Sequence, residues 1–382
     1  MGSKVGSTLG SRLNLPVLAW GSAQASTSLT LAAAAWMVSG FNPSPLLNSL
    51  LPALVTLPAL LPLIRRPLAG VMLQLLAVLV LMGLGLRTSA AVGSPTPASS
   101  AVVLLAMVSV LAVAMGTQMT ALPLQRTLLG VHQLPMAQLR RAGEFGALLG
   151  HTLTALLFPI GRALLQFSQA LVLLLPLLPL ARQARGERRS QTPGPESPPA
   201  PVAFSWRCAL QGALFGGLFG LLPLWVRQVE AGTCLDFGLV LAAYGLGRSL
   251  GGNWGLAWWP AARGQGGARR EGAFRYLAMA LLLGTTRWLP GWWVLLLFLP
   301  MGGLAQASDL GQVRGLVHLD DEALGWQTLA RSGAIGGLLG SLAMGLMAQL
   351  LGLPVALPLQ IGLFVVAALV LPPALARAPR PE

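Results

Sequence analysis

The sequence predicts an all-α integral membrane protein, in which twelve transmembrane helices form two parallel halves of six helices each. Three observations predict this fold: an apolar composition, a regular series of long apolar runs, and an internal repeat spaced by half the chain. Of the 382 residues, 54% are hydrophobic and only 9% are charged, whereas an ordinary soluble domain carries about 25% charged residues. Such a chain lacks the polar surface of a soluble enzyme, and its apolar content excludes intrinsic disorder.

The first half of the chain contains six apolar runs, and a bilayer crossing takes about 20 apolar residues. The first run is too long for the apolar core of a signal peptide, so we expect it to be retained. Arg65, Arg66 and Pro67 end the second run, and a stretch rich in Gly, Ser, Pro and Thr separates the third from the fourth. The predicted spans are 15–39, 46–64, 68–86, 101–124, 143–160 and 163–180.

A charged and then proline-rich segment divides the chain near its midpoint. Its composition is typical of a flexible linker. Six further apolar runs follow it, of which the ninth is the shortest. These predicted spans are 208–226, 237–259, 276–288, 292–310, 328–351 and 353–375. The expected organisation is therefore a bundle over 1–180, a cytoplasmic linker over 181–204, and a second bundle over 205–382.

The basic residues follow the pattern that orients membrane proteins. The chain has 25 Lys and Arg against 11 Asp and Glu, which gives a formal net charge of +14. With the N-terminus placed inside, most of these cations fall in loops on the cytoplasmic side, as the positive-inside rule requires. This distribution predicts an even number of spans with both termini cytoplasmic. It argues against nucleic acid as the partner and for the lipid bilayer.

An internal repeat relates the two halves. The segment from Arg141 to Gly150 resembles the segment 331–340, with Arg, Gly and Leu matching at a constant offset. Six predicted spans separate the copies, so both halves insert with the same orientation. The repeat-related pairs are Arg141 and Arg331, Gly146 and Gly336, Gly150 and Gly340, and, further upstream, Gln118 and Gln306. The glycines form GxxxG pairs, which predict close helix packing and a place where the two halves rock against each other.

With these motifs the chain resembles the major facilitator superfamily, in particular its bacterial enterobactin-exporter-like branch of transmembrane secretion effectors. The resemblance is carried by LRRAGEFGALLG in the fifth span, LARSGAIGGLLGSLAMG in the eleventh, LAAYGLGRSLGG in the eighth, and the long linker. It implies secondary active transport of a small organic solute by alternating access, in the outward direction, by a monomer in the bacterial inner membrane. It implies no enzymatic activity.

One departure from the family pattern leaves a second hypothesis open. The family's loop between the second and third helices usually carries an Asp that latches the cytoplasmic side. Here the corresponding stretch, LPLIRRPLAG, contains Arg65 and Arg66 but no Asp. The alternative to a transporter is therefore a membrane scaffold or assembly factor that keeps the fold and does not transport.

Arg248 is the first candidate for the solute site because it lies in the middle of the eighth span. An Arg at a helix centre costs about 2.5–3.5 kcal/mol on insertion scales, so it is expected to face a cavity or a partner. It would bind an anionic or zwitterionic solute, with Tyr244 on the same helix face. The alternative is an ion pair with Glu144 or Asp309. Asp309 itself is expected at a loop edge near Arg314.

Two further sets of polar residues are candidates. Glu144 and His151 lie seven residues apart on the fifth span, hence on one face, and would couple transport to protons. The alternative places Glu144 in solvent beside Arg140 and Arg141. The amides are candidates for lining the cavity or for plain interhelical hydrogen bonds, and they are Gln24, Gln118, Gln211 and Gln306. The scattered His and Cys residues predict no metal site, and no motif predicts a cofactor.

Overall fold

The computed structural model describes residues 15–61, 65–90, 100–131, 134–160, 162–190, 203–257, 265–289, 291–316 and 322–371. These segments are helical throughout and contain no strand. The helices are α1 (Leu15–Phe41), α2 (Pro45–Thr56), α3 (Pro67–Ala90), α4 (Ser100–Gly130), α5 (Met136–Ile160), α6 (Arg162–Leu174), α7 (Leu177–Ser190), α8 (Trp206–Gln228), α9 (Cys234–Ala257), α10 (Gln265–Thr285), α11 (Gly291–Leu316), α12 (Glu322–Leu351) and α13 (Leu353–Val370). A 3-10 turn, Leu57–Leu60, continues α2.

The predicted all-helical membrane fold is confirmed. A two-residue turn separates α6 from α7, and together they occupy one span, so the helices correspond to twelve spans. Eight of the spans in the described segments are long and apolar enough to cross a bilayer by hydropathy alone. Several helices begin earlier than predicted, notably α5 at Met136 and α10 at Gln265. In both helices, polar and charged residues of the first two turns lie before the apolar run that marks the lipid-crossing part.

The linker does not begin at residue 181 as predicted, because α7 continues as a helix to Ser190. Arg, Gln, Glu and Ala in this stretch are good helix formers, and Gln183 donates to Glu187 one turn later at 3.1 Å. Charge alone therefore did not mark the end of the helix. Linker residues 191–202 and the end of the twelfth predicted span, 372–375, lie outside the described residues.

The helices pack as two sets of matching arrangement. In the first set α1 packs on α5 and α6, and α3 packs on α4 and α6. In the second set α8 packs on α12, α9 on α11, and α10 on α13. Buried apolar side chains of α1–α7 form one core cluster, and those of α8–α13 form most of a second. The two sets meet where α5 packs on α9 and where α2 packs on α12.

The repeated glycines bring helices together within each set. A Cβ at Gly146 or Gly150 would collide with the α1 backbone, and a Cβ at Gly336 or Gly340 would collide with the α8 backbone. These pairs therefore hold α5 on α1 and α12 on α8, which corrects the expectation that they lie where the two halves rock.

The close approaches between the two halves use other small residues. On one side Gly238 of α9 lies against the backbone of Ala155 in α5, and on the other Gly345 of α12 lies against Ser49 in α2.

Candidate functional site

A close approach of α9 and α11 positions the charged centre of the site. A Cβ at Gly247 would meet the α11 backbone at Leu299, and one at Gly302 would meet the α9 backbone at Tyr244. Small residues thus let the two helices touch along their length. As a result, the side chain of Arg248 lies directly opposite the polar positions of α11.

Arg248 is paired with three polar groups. Its Nη2 donates to Asp309 Oδ2 at 2.7 Å and to Gln306 Oε1 at 2.9 Å, and its Nη1 lies 3.5 Å from the Tyr244 hydroxyl. The Arg248 and Asp309 side chains keep 29% and 15% of their area exposed. This ion pair is therefore inside the helix bundle and still accessible to a solute.

Asp309 connects the ion pair to a wider hydrogen-bond network. Its Oδ1 accepts from Gln211 Nε2 at 2.5 Å. Gln211 Oε1 accepts in turn from the Tyr276 hydroxyl at 2.8 Å and from the Ser308 hydroxyl at 3.0 Å. The network joins α8, α9, α10 and α11, so it fixes the orientation of the carboxylate that faces Arg248.

Two residues of α5 bring the first half of the chain to this cluster. Glu144 lies within electrostatic range of both Arg248 and Asp309. Its Oε1 also lies 3.5 Å from Arg140 Nε. The Arg140 guanidinium stacks over the Trp326 ring of α12 at 4.6 Å from the ring centroid. Arg140 thus links the two halves at the end of the bundle where α5, α8 and α12 begin, called here the Arg140 end.

A cavity of about 280 Å³ lies beside the ion pair. Its polar lining comes from Cys208, Gln211, Arg248 and Asp309, and its apolar lining includes Phe215 and Trp326. Because Cys208 and Trp326 belong to the first turns of α8 and α12, the cavity extends towards the Arg140 end. Its shape suits a small solute with both polar and apolar parts.

The opposite end of the bundle, the Arg227 end, is held together by a second arginine and tryptophan. The Arg227 guanidinium of α8 stacks over the Trp36 ring of α1 at 4.0 Å. Its Nη2 donates to the Trp36 carbonyl at 3.0 Å and its Nε donates to Ser39 Oγ at 3.2 Å. Trp36 also stacks on Phe237 of α9, with ring centroids 5.5 Å apart. The two halves are thus in extensive contact at this end.

The structure brings four of the predicted residues into one hydrogen-bond network, places Glu144 next to it, and separates the others from it. Gln211, Tyr244, Arg248 and Gln306 share the network, whereas Gln24 lies at the α1–α5 crossing near Gly143. Gln118 is half-buried on α4 and, among the described residues, makes no hydrogen bond to this cluster.

The remaining predicted residues lie apart from the network. His151 lies against Gly245 of α9 rather than beside Glu144, and its Nδ1 has no hydrogen-bond partner in the described part of the chain. Arg141 and Arg331 are exposed near the beginnings of α5 and α12.

The ion pair with Asp309, one of the alternatives given for Arg248, is confirmed, whereas the expectation that Asp309 lies at a loop edge is wrong. The tenth span was predicted to end at residue 310, but α11 continues to Leu316 and carries Asp309 inside the helix. Sequence reasoning passed over Trp326 and Tyr276, and it named Arg140 only as a neighbour of Glu144. Within the described segments, no group of three or more His, Cys, Asp or Glu residues could hold a metal ion.

Comparison with known proteins identifies the fold. Neither a protein-family profile nor a curated protein sequence matches the chain. The solved nucleoside transporter NupG matches with a TM-score of 0.62 at 11% identity, over 94% of this chain and 97% of that one. A bacterial homologue of the iron transporter ferroportin in its inward-facing state gives 0.60 at 16% identity, over 94% and 99%. A bacterial homologue of the lysosomal transporter Spinster gives 0.52 at 13% identity, over 94% of each chain.

These matches show that the protein has the fold of the major facilitator transporters, as the sequence predicts. All three similar structures are transporters and none is an enzyme. Identities this low establish the fold alone, so membership of the enterobactin-exporter-like branch stays a prediction.

Proposed function

We propose that this protein is a secondary transporter that moves a small organic solute across the membrane by exposing one cavity alternately to either side. The observation that carries the proposal is the partly exposed Arg248–Asp309 ion pair beside a cavity in the bundle interior. Ionisable residues at membrane depth are costly and are functional candidates by default. A charged pair that remains accessible beside a cavity favours a solute site over a purely structural role.

The contacts between the halves support alternating access. Each half forms most of one apolar core, and the halves meet mainly where α5 packs on α9 and α2 on α12, with further contacts of α1 and α2 on α8. The Arg227 end is tightly joined, whereas the cavity reaches the Arg140 end. Rocking about the two helix pairs would open one end as it closes the other.

The finer features of the proposal rest on the family resemblance and on Glu144. Export, a monomeric state, the bacterial inner membrane and cytoplasmic termini are implied by the resemblance and by the loop charges. So is the division into bundles over 1–180 and 205–382. Proton coupling would use Glu144, because its carboxylate lies within electrostatic range of both members of the ion pair. His151 would take part only through a change in its surroundings, since it lies apart from Glu144.

Cysteine accessibility tests the proposal without knowledge of the solute. In a variant with Cys208→Ser and Cys234→Ser, a single Ala330→Cys places a thiol in the cavity wall. In inside-out and right-side-out vesicles, a membrane-impermeant thiosulfonate is expected to label it from both sides. Leu350→Cys is the matched control, because Leu350 is 69% exposed on the apolar outer surface of α12. Labelling of Ala330→Cys from neither side would favour the non-transporting scaffold.

A further inference from the structure

We infer that the cavity selects zwitterionic solutes, which carry one anionic and one cationic group on a small apolar body. The inference rests on the proposed function and narrows its substrate class. Its basis is the juxtaposition of a preformed Arg248–Asp309 ion pair, the nearby Glu144 carboxylate and aromatic cavity walls.

The charges around the cavity are balanced before any solute arrives. Arg248 is paired with Asp309, and Arg140 lies beside Glu144. A solute with a single negative charge would have to draw Arg248 away from Asp309 and leave that carboxylate uncompensated. A solute with a single positive charge would leave Arg248 in the same state. Uncompensated charge inside a protein is strongly unfavourable, so neither kind of solute suits the cavity.

A zwitterion avoids this penalty because it can exchange partners with both members of the pair. Its anionic group would take the place of Asp309 on Arg248. Its cationic group would bind Asp309, with Glu144 within electrostatic range of the same pair. Every charge then keeps an opposite neighbour throughout binding and release.

Gln306 connects the ion pair to Glu144. Its side chain is 1% exposed, and its Oε1 accepts from Arg248. Its amide also interacts with the Glu144 carboxylate, so a second carboxylate lies near the Arg248–Asp309 pair. The region therefore offers both an arginine for an anionic group and carboxylates for a cationic one.

The remaining walls define the body of the solute. Phe215, Trp326 and Leu329 provide an apolar and partly aromatic surface, and the volume of about 280 Å³ suits a single ring with a short side chain. Three probes share such a body and differ only in charge: L-phenylalanine, 3-phenylpropanoate and 2-phenylethylamine. They serve as test compounds of matched shape and different charge.

The experiment measures binding of the three probes to the full-length protein in detergent by isothermal titration calorimetry at pH 7. We expect L-phenylalanine to bind at least about tenfold more tightly than either singly charged probe, because it leaves no charge uncompensated. Arg314→Ala is the matched control, since Arg314 is exposed on α11 outside the cavity. Its affinities should equal those of the unmodified protein.

Two variants should reverse the selectivity. Asp309→Asn leaves Arg248 without its partner, so 3-phenylpropanoate should become the tightest probe. Arg248→Gln leaves Asp309 without its partner, so 2-phenylethylamine should become the tightest. The double variant Arg248→Gln/Asp309→Asn contains no unpaired charge and should remain folded while losing the preference for L-phenylalanine. It keeps the test valid if a single variant fails to fold.

Four results would overturn the inference: equal affinities for the three probes, tighter binding of 3-phenylpropanoate to the unmodified protein, unchanged selectivity in the variants, or no binding of any probe. Tighter binding of 3-phenylpropanoate at pH 5.5 than at pH 7.5 would show that a proton, rather than a cationic group, compensates Asp309. In each of these cases, two-sided labelling of Ala330→Cys would still support transport. Loss of that labelling would instead remove the proposed function itself.

Discussion

The two halves of the molecule share a fold and differ in chemistry. In the second half, charged and polar residues of α8 to α11 form one connected network. In the first half, buried amides make isolated structural bonds, such as Gln74 to Thr120 at 3.3 Å and Gln166 to the Thr154 carbonyl at 3.1 Å. The repeat places Ala121 where the second half has Asp309. The difference teaches that a repeat can preserve helix packing while ionisable chemistry is confined to one half.

Helix packing accounts for part of this difference. In the second half, glycines let α9 and α11 touch, which brings Arg248 to its partners. The related helices of the first half, α2 and α4, approach less closely, and Pro52 and Pro58 interrupt α2 and its continuation. Proline removes a backbone donor and disturbs the helix. The first half instead contributes α5, whose Arg140 and Glu144 face the other half.

The largest expected effect comes from breaking the ion pair of the second half. Asp309→Asn is expected to destabilise the protein by about 2–4 kcal/mol, within the lower range for removing one partner of a buried pair, since the cavity leaves both groups partly exposed. Arg248→Gln should have a similar effect, and the double variant should recover most of the loss. Thermal unfolding in detergent measures the change in stability of each variant, with Ala121→Ser in the first half as the control. Single variants as stable as the unmodified protein would contradict the proposed pairing.

The next largest loss of stability is expected from the close glycine packing that the two halves share. Gly150→Ala and Gly340→Ala are each expected to cost about 1–3 kcal/mol, because the added methyl group overpacks against the backbone of a neighbouring helix. The two losses should be similar, since Gly150 meets Ala25 and Gly340 meets Ala213 in equivalent places. Gly362→Ala is the control, because a Cβ there meets no atom within 4 Å. A loss in one half only would show that the repeat does not extend to packing.

The arginine–tryptophan contacts at the two ends should differ by a smaller amount. Arg227→Ala removes a stacked cation and two hydrogen bonds, whereas Arg140→Ala removes a longer stacking contact and a loose ion pair. We expect losses of about 1–2 and about 0.5–1 kcal/mol respectively. In vesicles, Arg227→Ala should increase the labelling of Ala330→Cys from the Arg227 side, whereas Arg140→Ala should leave labelling from that side unchanged. If the two variants increased this labelling equally, the Arg227 contacts would not be what closes that end.

The sequence predicts the fold of both halves well and the individual side-chain partners less well. Hydropathy and loop charges predicted the spans and the fold, because lipid imposes a strong and simple pattern on the chain. Arg248 was found because a cation at mid-span is costly. Asp309 was named as one of its possible partners but was expected at a loop edge, because α11 extends past the apolar run. Trp326 was missed because it lies just before its predicted span. Arg140 could not be told from Arg141 because these neighbours point about 100° apart, and the sequence does not show which of the two directions faces the other half.

The smallest expected effect separates the repeat-related amides. Gln306→Ala removes a hydrogen bond to Arg248 and should weaken L-phenylalanine binding several-fold, in line with about 0.6–1.7 kcal/mol for an interhelical bond. Gln118→Ala should leave binding unchanged, since Gln118 makes no bond to the network in the described segments. Titration calorimetry compares the two. Equal weakening would place Gln118 in the cavity after all.

Movement of the two halves about the cavity is tested most directly by measuring the distance between two spin labels, one in each half, at both ends of the bundle. Spin labels at positions 138 and 331 report on the Arg140 end, and labels at 43 and 229 report on the Arg227 end, where all four native side chains are exposed. In lipid bilayers we predict two distance populations for each pair. Arg227→Ala should lengthen the distance at the Arg227 end and shorten it at the Arg140 end. A single unchanged population at both ends, or changes in the same direction, would contradict alternating access.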